Sequence, residues 1–460
     1  MRYVQGFRKG KLVKSNNFLS QAFPMGAACL ALLVAVPGCV KHAQPQIAAR
    51  PAATAQTPAR AVPPRQQEGP FPAPSTATLP AGIEAIQLTE EQIARRAAAD
   101  MLLKASLALF TNAQGNVNFL KRELSAKQYD ALEEQLDAIL AKAVADPKFE
   151  LVARDCANFG EDYSNIASSD KSEIEAWVKA RPKSPWAHYS IALRWNHDGW
   201  IARGGGWASD LTQEQVRVMD EDQAKALVEI RKALSLNPKI SIAWVTLMDI
   251  ELTAGGLPAL TRDYGIATKQ HPASFLVADK YESALDPRWY GDYDQMDRQA
   301  KGKLTALDQN PRFWTLQGYA AAGRGCISCN DFDWEASLSS YRDALRYGDE
   351  TGWLGHAGDS AMHLHRYGLA HAYYAREVAY KPGDFWAFTY AMLTDAMCNP
   401  SAPAGKAEMV EKSINETYPR SQGDCDYYLA ELPWGSEAVP NPGLMPPYSV
   451  EREASKAVRK

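Results

Sequence analysis

The sequence predicts an all-α fold, a right-handed α-solenoid of helical hairpins, on three observations. A spaced pattern of small, aromatic and small residues ending in proline recurs along the chain. Capping residues and prolines punctuate stretches of helical periodicity. No clear run of alternating strands stands out.

The period carries most weight. In ALVEIRKALSLNP, Ala226, Ile230, Ala233 and Pro238 stand at offsets 0, 4, 7 and 12. Thirty-four residues later LTRDYGIATKQHP repeats the offsets with Leu260, Tyr264, Ala267 and Pro272. Ser337, Tyr341 and Ala344 keep the spacing, as do Ala370, Tyr374 and Pro382. These are helix-B positions of a tetratricopeptide repeat, in which small residues let two helices approach, large ones fill the groove and proline ends the helix. Trp244, Trp314 and Trp386 mark A helices. Four or five units fit between Pro185 and Leu393, distorted by insertions at Asp286–Asp297 and in the Gly-rich stretch Gly323–Asp333. Upstream, Thr89 and Gln92 form a capping box that opens a first helix, and further helices are expected at Ala126–Ala145 and Phe149–Phe159.

Before these lies an export signal. Residues 1–38 hold Arg2, Arg8, Lys9, Lys11 and Lys14 and no acid, so without them the net charge of −4 becomes −9. Such an acidic body argues against nucleic acid as a partner. The uncharged run Met25–Val36 is shorter than the roughly 20 residues that span a bilayer, but has the length of a signal-peptide core. Val36-Pro37-Gly38-Cys39 follows as a bacterial lipobox, with Pro37 atypical. Cys39 is then the lipidated N-terminus and the membrane is reached through a lipid anchor. Val40 at the next position favours the outer membrane with the domain facing the periplasm; the inner membrane or the cell surface is the alternative. Nine Pro and ten Ala between Val40 and Pro80 make an extended spacer. The expected organisation is a signal peptide (1–38), a disordered tether (39–85), an N-terminal helical region (86–184), the repeats (185–397) and a partly irregular extension (398–460).

A closer resemblance lies in YDALEEQL and in IEAWVKARPKSPWAHYSIALRWNHDGWIARGGGWASDLT. Over roughly residues 120–390 the chain resembles the bacterial family described as domain of unknown function 4034, with Trp177, Pro182, Ser184, Trp200, Arg203 and Gly204 at its pattern positions. The resemblance implies a helical, tetratricopeptide-like architecture and brings no enzymatic activity.

Candidate chemistry is sparse. The stretch WNHDGWIARGGGWASD has glycines beside Arg203 but no Gly-Lys-Ser/Thr and no preceding strand, so it is not a phosphate loop. It reads as an inter-helix connection whose glycines permit positive φ, with Asp210 or Thr212 capping a helix from Gln213; a sharper reading makes Trp195, Arg203 and Trp207 a binding surface. In an oxidising compartment Cys326 and Cys329 are expected to pair locally and Cys398 with Cys425, leaving Cys156 reduced. His356, His363, His365 and His371 cluster in sequence, but His363 and His365 fall on different faces of a helix. Asp292, Asp294 and Asp297 lack the glycine and glutamate of a calcium loop. No metal, cofactor or catalytic residue is assigned. The expected function is an envelope-anchored scaffold or adaptor, not an enzyme, binding a protein or peptide; the alternative is a glycan-binding protein or enzyme using the aromatic-rich groove.

Overall fold

The computed structural model describes residues 88–111, 113–159, 170–204, 210–381, 384–399, 405–414 and 425. The signal peptide, Cys39 and the tether lie outside the described residues. Among those described, the chain forms seventeen α-helices with short 3-10 turns and no strand. The N-terminal part comprises α1 (Glu90–Thr111), α2 (Gln114–Ser125), α3 (Tyr129–Ala145), α4 (Glu150–Ala157) and α5 (Asp170–Ala180). Helix pairs follow: α6 (Pro185–Arg203) with α7 (Gln213–Leu236), α8 (Ser241–Ala254) with α9 (Gly256–Gln270), and α10 (Phe275–Ala284) followed by α11 (Tyr293–Lys303). A 3-10 segment, Pro311–Gly318, leads into α12 (Tyr319–Asn330), which pairs with α13 (Trp334–Leu345). Then come α14 (Thr351–His363) with α15 (Tyr367–Tyr380) and α16 (Phe385–Cys398) with α17 (Lys406–Ile414). From α6 onward the helices pack largely on their neighbours in chain order.

Local sequence sets the helix ends. Thr89 and Gln92 bond reciprocally through backbone and side chain at the start of α1. Thr212 and Gln215 form the same box at α7, so Thr212 is the cap there. The Ser184 hydroxyl accepts from the Ala187 N–H and starts α6 beside Pro185. Asp292 caps α11 in the same way and is occupied as a cap.

The 34-residue pattern lands where close helix approach needs it. Ala226, Ile230 and Ala233 on α7, Leu260, Tyr264 and Ala267 on α9, Ser337, Tyr341 and Ala344 on α13, and Ala370 and Tyr374 on α15 are all buried. Glycines on the preceding helices make room for the aromatic members. A Cβ on Gly325 would stand 2.9 Å from the Tyr341 ring, and one on Gly358 would stand 2.6 Å from that of Tyr374. This corrects the reading of Gly323–Asp333 as a Gly-rich insertion. Most of it is α12, where Gly325 is contact surface for Tyr341 of α13 and Gly323 for Asp286 and Tyr293.

Most large buried side chains share one continuous core that runs from α1 to α17, with two small satellites around α10 to α12. Against this row the N-terminal part folds back: α1 and α4 pack on one another, and α1 also packs on the Pro311–Gly318 segment and on α15.

Gly358→Ala is expected to destabilise the fold by about 1–3 kcal/mol because its methyl group meets the Tyr374 ring. Gly265→Ala, in the middle of α9 where a Cβ meets nothing within 4 Å, should stabilise by about 0.5–1 kcal/mol. Denaturant midpoints of the two variants check the pair.

Candidate functional site

The stretch around Trp195 separates into a buried half and a cap. α6 runs unbroken from Pro185 to Arg203, and Gly204, at φ +71°, ends it. The Arg203 guanidinium donates to the Gly204 carbonyl at 3.0 Å and lies 5.4 Å from the Trp200 ring. Gln215, from the α7 capping box, donates to the Arg203 carbonyl at 2.9 Å. Arg203 thus helps to close the helix end. Trp195 packs half-buried on the core, with the Lys171 ammonium 3.3 Å and the Lys225 ammonium 4.2 Å from its ring. Trp195 and Arg203 lie two turns apart on one helix, about 12 Å along its axis. Trp207 lies outside the described residues.

The polar residues flanking Trp195 on α6 are turned inward. Asn196 is fully buried and donates to Asp249 at 2.8 Å. Arg194 is buried and pairs with Asp198 at 2.9 Å; Lys171 meets the same carboxylate at 2.8 Å. Arg194 also lines a cavity of about 190 Å³ among α2, α4, α5 and α6. Its polar lining is Lys121, Ser125, Asn158, Glu173, Ser190 and Arg194. Leu124, Ala157, Phe159, Ile174 and Leu193 supply the apolar wall. The sequence reading missed this cleft. Its available signal was LRWNHD, in which charged and polar residues continue through a helix that is buried nearly all round.

A second polar region joins the N-terminal part to the repeats. Asp349, with no exposed surface, accepts from Arg96 on α1, from Arg376 on α15 and from the Tyr380 hydroxyl at 2.9 Å. Arg96 also donates to the Leu345 carbonyl at 3.1 Å, and Asp100 accepts the Asp349 N–H at 2.7 Å. Burial, then the neighbouring Asp349, pushes the Asp100 carboxyl up to about 7, against the pull of Arg96. From α4's start, Glu150 accepts from the Ser274 hydroxyl and from the N–H groups of Phe275 and Leu276, covering the head of α10.

Glu282 on α10 is more exposed to strain of charge. It has no exposed surface, and neither carboxylate oxygen has a hydrogen-bond partner among the described residues. Burial, with Asp279 and Asp297 nearby, raises it to about 9, so it holds a proton at neutral pH.

The cysteines correct one expectation. Cys398 and Cys425 are joined, with Cα atoms 5.4 Å apart. Cys329, however, is a free thiol, so the local Cys326–Cys329 bridge is not formed. Both residues sit on α12, where Cys326 is turned inward against the Arg288 guanidinium and Cys329 lies within electrostatic reach of Asp359 and Tyr341. Cys156 is buried and reduced. The four clustered histidines go to separate partners. His363 stacks on Trp334 at 3.8 Å and His356 on Tyr341 at 5.2 Å. His365 bonds the Tyr367 hydroxyl at 3.2 Å, and buried His371 meets Thr394 at 3.1 Å. Burial lowers His371 to about 4. Among the described residues no three His, Cys, Asp or Glu side chains are grouped to hold a metal ion, and no helix is long and apolar enough to cross a membrane.

Glu282→Gln tests the charge reading. A carboxyl raised from its unfolded value near 4.5 to about 9 contributes stability that is complete below 4.5 and lost as pH climbs toward 9. Unfolding of the Gln variant should therefore show a stability gain over the parent that grows by about 1 kcal/mol per pH unit between pH 5 and 8. A gain independent of pH would contradict the burial of a proton there.

No curated protein matches the chain. The pattern residues Trp177, Pro182, Ser184, Trp200, Arg203 and Gly204 build the α5–α6 corner and the end of α6: the Trp177 indole donates to Glu133 at 2.9 Å, and the Pro182 carbonyl meets the His188 ring at 3.0 Å. Residues 117–259 match the family model described as "Domain of unknown function (DUF4034)", a shorter span than residues 120–390.

Proposed function

We propose that the protein is an exported, lipid-anchored scaffold whose helical hairpins form a right-handed, tetratricopeptide-like solenoid, and that it binds a protein or peptide of the cell envelope. The observation that carries the reading is the burial of the period-34 residues at helix contacts throughout α7, α9, α13 and α15. Repeats built this way cannot bury their apolar faces alone; they stack, and the stack presents an extended surface. In this reading Cys39 carries the lipid, residues 39–85 lift the helical body off the outer membrane, and the body faces the periplasm. The work is binding rather than catalysis, without cofactor, metal or nucleic acid.

Two measurements test it together. A photo-crosslinking residue at exposed Val228 on α7 or Ile266 on α9 should capture a discrete envelope protein. Recovery of peptidoglycan fragments alone would instead support the glycan-binding alternative. Cys39→Ala should shift the protein from the membrane fraction to the soluble periplasm, and unchanged fractionation would contradict the anchor.

A further inference from the structure

The cavity among α2, α4, α5 and α6 has no place in the stacking of the repeats, and its chemistry is specific enough to name an occupant. Two cationic side chains, Lys121 and Arg194, line it together with one carboxylate, Glu173. Arg194 keeps its bond to Asp198 at 2.9 Å and is 6% exposed, so its guanidinium is fixed rather than swinging in solvent. Beside it on the same helix, Ser190 is 3% exposed, lines the cavity, and its hydroxyl has no hydrogen-bond partner among the described residues. An orphaned buried hydroxyl costs stability unless something meets it. Opposite in character, Leu124, Ile174, Leu193 and Phe159 form an apolar wall.

A site with this lining wants three things from a ligand: an anionic group for Lys121 and Arg194, an N–H or ammonium for Glu173, and an apolar side chain for the wall. At about 190 Å³ it falls below the ~300 Å³ at which pockets for drug-sized molecules begin, so it holds one residue and not a stretch of peptide. We propose that this cleft binds the α-carboxylate end of an apolar amino acid, either as the C-terminal residue of a peptide or as the free amino acid. The first source deepens the peptide-binding function proposed above and rests on it; the second does not.

Calorimetric titration of the full chain with acetyl-Ala-Ala-Ala-Leu, with free leucine, and with acetyl-Ala-Ala-Ala-Leu amide separates the cases. The acid peptide or free leucine should bind, and the amide should bind at least about tenfold more weakly than the acid because it lacks the charge. Lys121→Gln, at an exposed rim position, should weaken the acid about tenfold while changing binding of the amide, which offers the lysine no charge, by less than about twofold. Binding of the peptide without leucine assigns the C-terminal residue. Binding of leucine without the peptide keeps the cleft as an amino-acid site and counts against the peptide-binding function. Equal binding of acid and amide, or heat from neither acid nor leucine at millimolar concentration, would overturn the cleft's assignment.

Discussion

One fully buried carboxylate, Asp349, ties α1 to the repeats. It lies at the turn between α13 and α14 and meets arginines from two helices that the chain separates widely, Arg96 on α1 and Arg376 on α15. Its backbone N–H is taken by Asp100, so side chain and main chain of one residue both engage the joint. A buried ion pair of this kind is weak support for net stability, because desolvating both charges offsets much of their attraction. Breaking it is another matter: a lone buried charge costs about 3–5 kcal/mol. The joint therefore specifies where α1 sits more than it adds to the total.

The same accounting explains the unusual proton chemistry inside. An acidic chain that buries carboxylates must neutralise each one, and two devices are used. Asp349 is matched by arginines and a phenol, while Glu282, without a hydrogen-bonding partner among the described residues, keeps its proton. Asp100 stands between these cases, raised by burial and by Asp349 but drawn back by Arg96. As a protonated carboxyl ionises with rising pH, α1 and α10 carry charge that their surroundings do not fully answer. The interior is thus less settled in mild alkali than in mild acid.

Much of the fold was legible because helix packing writes a period into the sequence. Small residues at fixed offsets had to face another helix, and Ala226, Ala233, Ala267 and Ala344 do so with no exposed surface. Capping boxes at Thr89 and Thr212 were equally readable, since they need two residues three apart and nothing from elsewhere. Legibility failed where a residue's role depends on distant chain. Gly325 looked like loop material until Tyr341 was seen against it, and the Cys326–Cys329 spacing said nothing of α12's direction. The cleft was hidden for the same reason, since it draws Lys121, Glu173 and Arg194 from three helices.

Trp177, Pro182, Ser184, Trp200, Arg203 and Gly204 shape the α5–α6 corner and the end of α6, and α6 in turn supplies the buried Ser190 and Arg194 of the cleft. Whether α1 is a fixed part of this body depends on the Asp349 joint. Hydrogen exchange on Asp349→Asn measures that directly. Amides of α1 should lose most of their protection while those of α7 and α9 keep theirs; unchanged protection of α1 would contradict the claim that this carboxylate holds α1 in place.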